Sequence, residues 1–175
     1  MLKIKFNDTK ISVPNSWADI CLADYERWFM NLPQDKAEYV RLIADICKVD
    51  TDWLLNSPSQ LLDAISDAVQ FIFEPDFEPA TKINIEGVDY FISSEDKITL
   101  GEWIDADEVF SSDSETKSSE ILAIVCRPAG ENYNVETAKK RREMFSNLSC
   151  DKVLPLLTFF LHRKKESEAI LAHYS

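Results

Sequence analysis

The chain repeats a pattern. Ile4-Lys5-Phe6 and Ile11-Ser12-Val13 alternate apolar and polar residues around Asn7-Asp8, as a β-hairpin does. Ile83-Asn84-Ile85 and Val88-Asp89-Tyr90-Phe91-Ile92 do the same around Glu86-Gly87, with Gly87 supplying the positive φ of a two-residue turn. Each hairpin leads into a similar helical series. Ile20-Cys21-Leu22-Ala23-Asp24-Tyr25 matches Ile98-Thr99-Leu100-Gly101-Glu102-Trp103 in its apolar and aromatic positions. Leu42-Ile43-Ala44-Asp45-Ile46-Cys47-Lys48 matches Ile121-Leu122-Ala123-Ile124-Val125-Cys126-Arg127, sharing Ala, Cys and a final base. An apolar helix closes each half, over 61–73 and over 153–161. The expected fold is α+β and mostly helical, with two tandem hairpin-plus-helices units, 1–74 and 80–175, arising by duplication. A lone two-stranded hairpin is marginal. The two must therefore share one four-stranded antiparallel sheet, or pack separately on helices and leave edges that a partner can extend.

Local signals divide the units. Ser16 is placed to cap a helix opening at Trp17, and Pro33 marks a break before a helix over 35–48. Thr51-Asp52 opens a short helix, which Pro58 separates from the longer apolar one. Two prolines in Glu74-Pro75-Asp76-Phe77-Glu78-Pro79 forbid a helix across the junction. A further helix starts near Val135, and the polar run 111–119 reads as an exposed loop.

The charge is uneven. Of a net −12, residues 121–175 carry nine basic and six acidic side chains, so the first 120 residues hold −15. An acidic front disfavours nucleic acid and anionic membrane through that surface and favours a basic partner. No apolar stretch approaches the roughly 20 residues of a membrane span, and the N-terminus lacks a signal peptide's apolar block. A soluble protein of the cytoplasm is expected.

Chemistry finds little to build on. Cys21, Cys47, Cys126 and Cys150 form no C-x-x-C pair, and His162 and His173 are not spaced to complete a zinc site with them. Cys47 and Cys126 lie in apolar runs and read as packing groups. His162 stands beside three cations and His173 two residues from the end of the sequence, neither the setting of an oriented base. Glu102, Asp105, Asp107 and Glu108 crowd one segment, but the expected arrangement is a solvated helix face. The same holds for Lys139-Lys140-Arg141-Arg142 and for His162-Arg163-Lys164-Lys165, whose charges point around a helix. With three glycines and no phosphate-binding loop, no catalytic residue, metal or cofactor is assigned. Aromatic residues are the stronger signal: Trp17, Tyr25, Trp28, Phe29, Trp53 and Trp103 crowd the helices and are candidate protein-binding anchors.

The stretches Val13-Pro14-Asn15-Ser16-Trp17-Ala18-Asp19-Ile20-Cys21-Leu22 and Ile98-Thr99-Leu100-Gly101-Glu102-Trp103-Ile104-Asp105 resemble segments of small proteins from bacteriophage tail gene clusters. Ile121–Pro128 followed by Tyr133, and the closing Phe159-Phe160-Leu161, are similar to the same group. The family is that of phage tail or baseplate assembly chaperones and related virion morphogenesis proteins, particularly from phages of gut bacteria. The resemblance implies a non-enzymatic helper in the cytoplasm of an infected bacterium, binding a larger tail protein such as a tape-measure or hub component. Many tail chaperones are simpler helical proteins without an evident duplication. A structural ring, connector or cargo protein of the virion, homo-oligomeric or not, is the alternative reading. An acidic inhibitor mimicking DNA is a third, motivated by the −15 front half.

Overall fold

A computed structural model describes residues 1–6, 9–29, 32–93 and 98–174, with side chains of the last helix as far as residue 166. The fold is α+β and mostly helical. Strands β1 (Leu2–Phe6) and β2 (Thr9–Val13) pair antiparallel, with Ile4 opposite Ile11 and Leu2 opposite Val13. Ile11 and Val13 are buried while Lys10 and Ser12 are exposed, the period-2 alternation of a half-buried strand. The expected Asn7-Asp8 turn lies outside the described residues. Helices α1 (Leu22–Phe29), α2 (Lys36–Ile46), α3 (Thr51–Leu55) and α4 (Ser59–Val69) follow. Asp35 and Asp50 cap α2 and α3, each accepting a backbone N–H three residues on, at 2.8 Å.

The second half opens with β3 (Lys82–Ile85) and β4 (Val88–Ile92), joined through Glu86 and Gly87. Both turn residues have positive φ, 50° and 85°, the primed geometry that matches strand twist. Asn84 steadies the turn, its Oδ1 accepting the Gly87 N–H at 3.0 Å. Helices α5 (Leu100–Ser111), α6 (Lys117–Val125), α7 (Val135–Ser146) and α8 (Cys150–Tyr174) follow, with strand β5 (Cys126–Pro128) between α6 and α7. A capping box starts α5, in which Thr99 accepts from the Glu102 N–H and Glu102 from the Thr99 N–H.

Several expectations need correction. The hairpins do not share a sheet: β1–β2 stands alone, and β3–β4 recruits β5 instead. Cys126-Arg127 therefore continues no helix, because β4 offers a paired edge on which Phe91 meets Arg127. Trp17–Asp19 forms only one 3-10 turn, with no cap from the Ser16 side chain, and the α-helix begins at Leu22. Residues 111–119 are not one exposed loop. Helix α6 already includes Ser118 and Ser119, and Ser119 is fully buried.

The halves meet through α6. Ser119 and every residue from Ile121 to Val125 are buried, while Glu120 between them is half-buried, and the helix packs against α1, α5, α7 and α8. Its first turn is held from the other half by Glu26 of α1, which accepts the Ser119 N–H at 2.7 Å and the Ser119 hydroxyl at 3.0 Å. A short bridge, Cys21 with Ser149, adds backbone bonds from Leu22 to Leu148 and from Cys150 to Ile20. Buried residues of both halves form one continuous core.

Within each half the second helix packs on the other three, α2 on α1, α3 and α4, and α6 on α5, α7 and α8. An ion pair recurs as well. Asp24 pairs with Lys48 at 3.4 Å, and Glu102, its counterpart in the repeat, pairs with Arg127, the counterpart of Lys48. The copies differ in burial. Lys48 is 69% exposed, whereas Arg127 is 13% and Glu102 0% exposed. Glu102 is thus no solvated face residue. Burial alone would raise its carboxyl, but Arg127, the Thr99 N–H and the Ser93 hydroxyl together hold it below the usual carboxylate range.

Removing the cation from a buried pair strands a charge, so Arg127→Met should cost about 3–5 kcal/mol in urea unfolding at pH 7. Lys48→Met should cost under about 1 kcal/mol, as exposed pairs do. Equal losses would deny the difference in burial its role. Glu26 titrates the other way from Glu102, because burial holds its carboxyl above the usual range despite the Ser119 donors. A raised carboxyl adds stability as pH falls through its folded value. The stability of Glu26→Gln relative to the native chain should therefore be highest at pH 7 and decline towards pH 4. A flat difference across that range would refute the assignment.

Candidate protein-binding groove

Three consecutive helices of the second half enclose an open groove of about 770 Å3. Asp105, Glu108 and Val109 of α5 form one wall, and Val135, Ala138, Lys139 and Arg142 of α7 form the other. Glu120, Ala123 and Ile124 of α6 form the floor. Tyr133 closes one end, where its hydroxyl donates to the Asp105 carboxylate. Ser112 and Ser114 close the other, where Ser114 donates to Glu120 at 2.8 Å and Arg142 reaches Glu120 at 3.8 Å. From Asp105 to Ser112 the helical rise is roughly 10 Å, about two turns.

The walls are held rigidly. Arg141 of α7 is buried and donates to the Ala123 carbonyl on α6 and to the Glu131 carboxylate. That corrects the reading of the 139–142 basic run as uniformly solvated, since Arg141 points inward while Lys139, Lys140 and Arg142 stay exposed. Arg127 donates to the Glu131 carbonyl at 2.9 Å, so the 128–134 connection is tied to β5 and α7 together. On the far side of α5, Lys164 of α8 pairs with Asp107 at 3.2 Å and lies over the Trp103 and Phe110 rings at 5.3 and 4.9 Å. Burial and the Asp105 bond together raise the Tyr133 phenol, which stays neutral as a donor. The groove thus has an apolar base, polar ends and charged rims, the composition of a recognition surface.

A second recess of about 460 Å3 adjoins it. Its lining includes Tyr25, Glu26 and Phe29 of α1, Asp113, Ser114 and Glu115 of the α5–α6 connection, and Lys117 at the start of α6. Ser114 lines both, so the recess lies next to the groove at the junction of the halves.

The six aromatic anchors are not brought into one patch. Trp17, Tyr25 and Phe29 belong to a string of rings with Phe71, Phe73, Phe77 and Tyr39, centroids 4.7 to 6.1 Å apart. Trp28 is buried, and its indole N–H donates to Asp45 at 2.8 Å. Trp53 meets Phe6 at 6.3 Å in the first half, and Trp103 lies beneath Lys164. Of the six, Tyr25 and Phe29 line the recess. Sequence reasoning missed Val109, Tyr133, Val135 and Ala138. It noted the acidic run 102–108 and the basic run 139–142, the two groove walls, without joining them.

Among the described residues no group of three or more His, Cys, Asp or Glu is arranged to hold a metal ion, and no helix is long and apolar enough to cross a membrane. Cys47, Cys126 and Cys150 are buried, and Cys21 is part-exposed. Burial pushes the Cys47 thiol up to about 11 and the Cys126 thiol up to about 12, and raises Cys150 likewise. Thiolate is the reactive form. A thiol-labelling reagent at pH 8 should therefore modify Cys21 in the native protein and the other three only after unfolding; rapid native labelling of two or more thiols would contradict this packing.

Compared with known proteins, the chain matches no protein-family model, no curated protein and no solved structure.

Proposed function

We propose that the protein is a non-enzymatic assembly chaperone of bacteriophage tail or baseplate morphogenesis, which binds a larger tail protein before that protein assembles. The observation that carries the binding reading is the α5–α6–α7 groove, an apolar channel about two helical turns long with charged rims. Such a channel suits the temporary covering of an apolar segment in a client. The phage context rests on the resemblance of residues 13–22, 98–105, 121–133 and 159–161 to tail-cluster proteins. The site of action would be the cytoplasm of the infected host.

A virion structural role is the second reading. It is favoured by Leu100 and Ile104, one helical turn apart on α5 and 74% and 53% exposed. They form a stripe that a permanent subunit interface would bury.

Co-expression with a long phage tail protein of the tape-measure or hub class should keep that client soluble. The double variant Val109→Lys/Val135→Lys, which changes part-exposed wall positions and leaves the core intact, should abolish the effect while its thermal unfolding stays near native. Unchanged client solubility with and without the native chain would sink the chaperone reading. Mass spectrometry of purified particles separates the alternatives, since a chaperone is absent from them and a structural subunit is present.

A further inference from the structure

We infer that the occupant of the groove is a basic amphipathic helix, docked with its apolar stripe on Val109, Ala138 and Val135 and its cationic edge along α5 and the α5–α6 connection. The inference deepens the protein-binding reading and rests on it. The argument is one of unmatched charge. Both cations on the α7 wall have partners already, Lys139 with Glu136 at 3.6 Å and Arg142 with Glu120 at 3.8 Å. Lys117, beside the second recess, donates to the neutral Phe110 carbonyl at 3.2 Å, so its single charge is set against those of Glu108, Asp113 and Glu115. Asp105 accepts from Tyr133, and Glu26 from Ser119. What remains are Glu108, Asp113 and Glu115, exposed carboxylates with no cation in ion-pair range among the described residues.

Glu108 lines the groove, and Asp113 and Glu115 line the adjoining recess, on either side of Ser114. The surplus along the groove and recess is therefore negative, and a partner gains most by bringing cations there. The recess ends on Tyr25 and Phe29, rings 4.7 Å apart with Asp113 and Glu115 on its rim. Aromatic faces beside carboxylates suit a lysine or arginine head, which gains ring and ionic attraction together. The groove length of about two turns matches an i, i+3, i+4, i+7 apolar stripe on a helix, with the cation projecting beyond its end.

The test uses two fluorescein-labelled sixteen-residue peptides of helical pattern, one of leucine and lysine and one with glutamate at every lysine position. Fluorescence anisotropy in 0.15 M salt measures binding to the full chain. The lysine peptide should bind at least tenfold tighter than the glutamate peptide. Glu108→Lys/Glu115→Lys should weaken it at least tenfold. Asp63→Lys/Asp67→Lys makes the same change of net charge on the outer face of α4 and should alter binding less than twofold. Amide hydrogen exchange should show peptide-induced protection at 105–116, 133–142 and 25–29. Equal weakening by the two double variants would overturn the inference, because binding would then follow net charge alone. So would absence of binding by the lysine peptide, or preference for the glutamate peptide. If the peptides fail while the client is still solubilised through Val109 and Val135, the partner chemistry is wrong and the protein-binding function stands. If the lysine peptide binds as described but no client is kept soluble, the chaperone reading fails and the assigned groove chemistry stands.

Discussion

Helix α6 is buried at Ser119 and from Ile121 to Val125, with half-buried Glu120 at the groove, and burial continues into Cys126 at the start of β5. A segment as apolar as 121–125, with no polar face of its own, has no stable place at a surface and must be enclosed. Enclosure here takes four helices, α1 from the first half and α5, α7 and α8 from the second. The position of everything else follows from that requirement. The first half docks because α1 supplies part of the cover, and the groove exists because α5 and α7 flank α6 without meeting over its outer edge. At the N-terminal end of α6 the cover includes a carboxylate. Glu26 is buried to satisfy the Ser119 N–H and hydroxyl, an arrangement that specifies where α1 sits more than it stabilises, since the charge loses its solvent.

The two halves show one plan put to different uses. Element order, the packing of the second helix on the other three, and the Asp24–Lys48 and Glu102–Arg127 pairs correspond. The departures lie where the groove is built. In the first half, Lys48 follows the end of α2 with a left-handed φ of 54°, and its side chain reaches out into solvent. In the second, the equivalent Arg127 is drawn into a strand, pairs with β4, and carries its guanidinium inward to Glu102 and the Glu131 carbonyl. That inward turn anchors the connection to α7 and so fixes the second wall. A surface ion pair in the first half corresponds in sequence position to a structural tie in the second.

On the proposed reading the groove is a recognition surface with a definite sign. Its floor is apolar at Ala123 and Ile124, the cations of its α7 wall are paired with Glu136 and Glu120, and its unpaired charge among the described residues is the Glu108 carboxylate. This accords with a chain of net −12 whose acidic excess lies in residues 1–120. The aromatic string from Trp17 to Tyr39 has another role. Its rings are half-buried and pack the short 3-10 turn Gln70–Phe73 and the proline-bounded linker against α1, which gives the junction between the halves its own core.

Local pattern carried a good part of this fold. Alternation marked both hairpins, prolines bounded α2, α4 and the linker, and Asp35, Asp50, Thr99 and Asn134 stand as caps where a short polar side chain meets a free backbone N–H. Those features depend on neighbours a few residues away, so sequence alone determines them. The rest depends on residues brought from far along the chain. Cys126-Arg127-Pro128 looks helical until β4 offers an edge, and Ser119 looks like loop until Glu26 arrives to accept its N–H. Glu102 and Arg141 look solvated until Arg127 and Glu131 neutralise them. A charged side chain enters a core only with its partner, and partner identity is a property of tertiary contact. For the same reason the acidic and basic runs that form the groove walls were visible as composition, while only the packing of α5 and α7 on either side of α6 set them face to face.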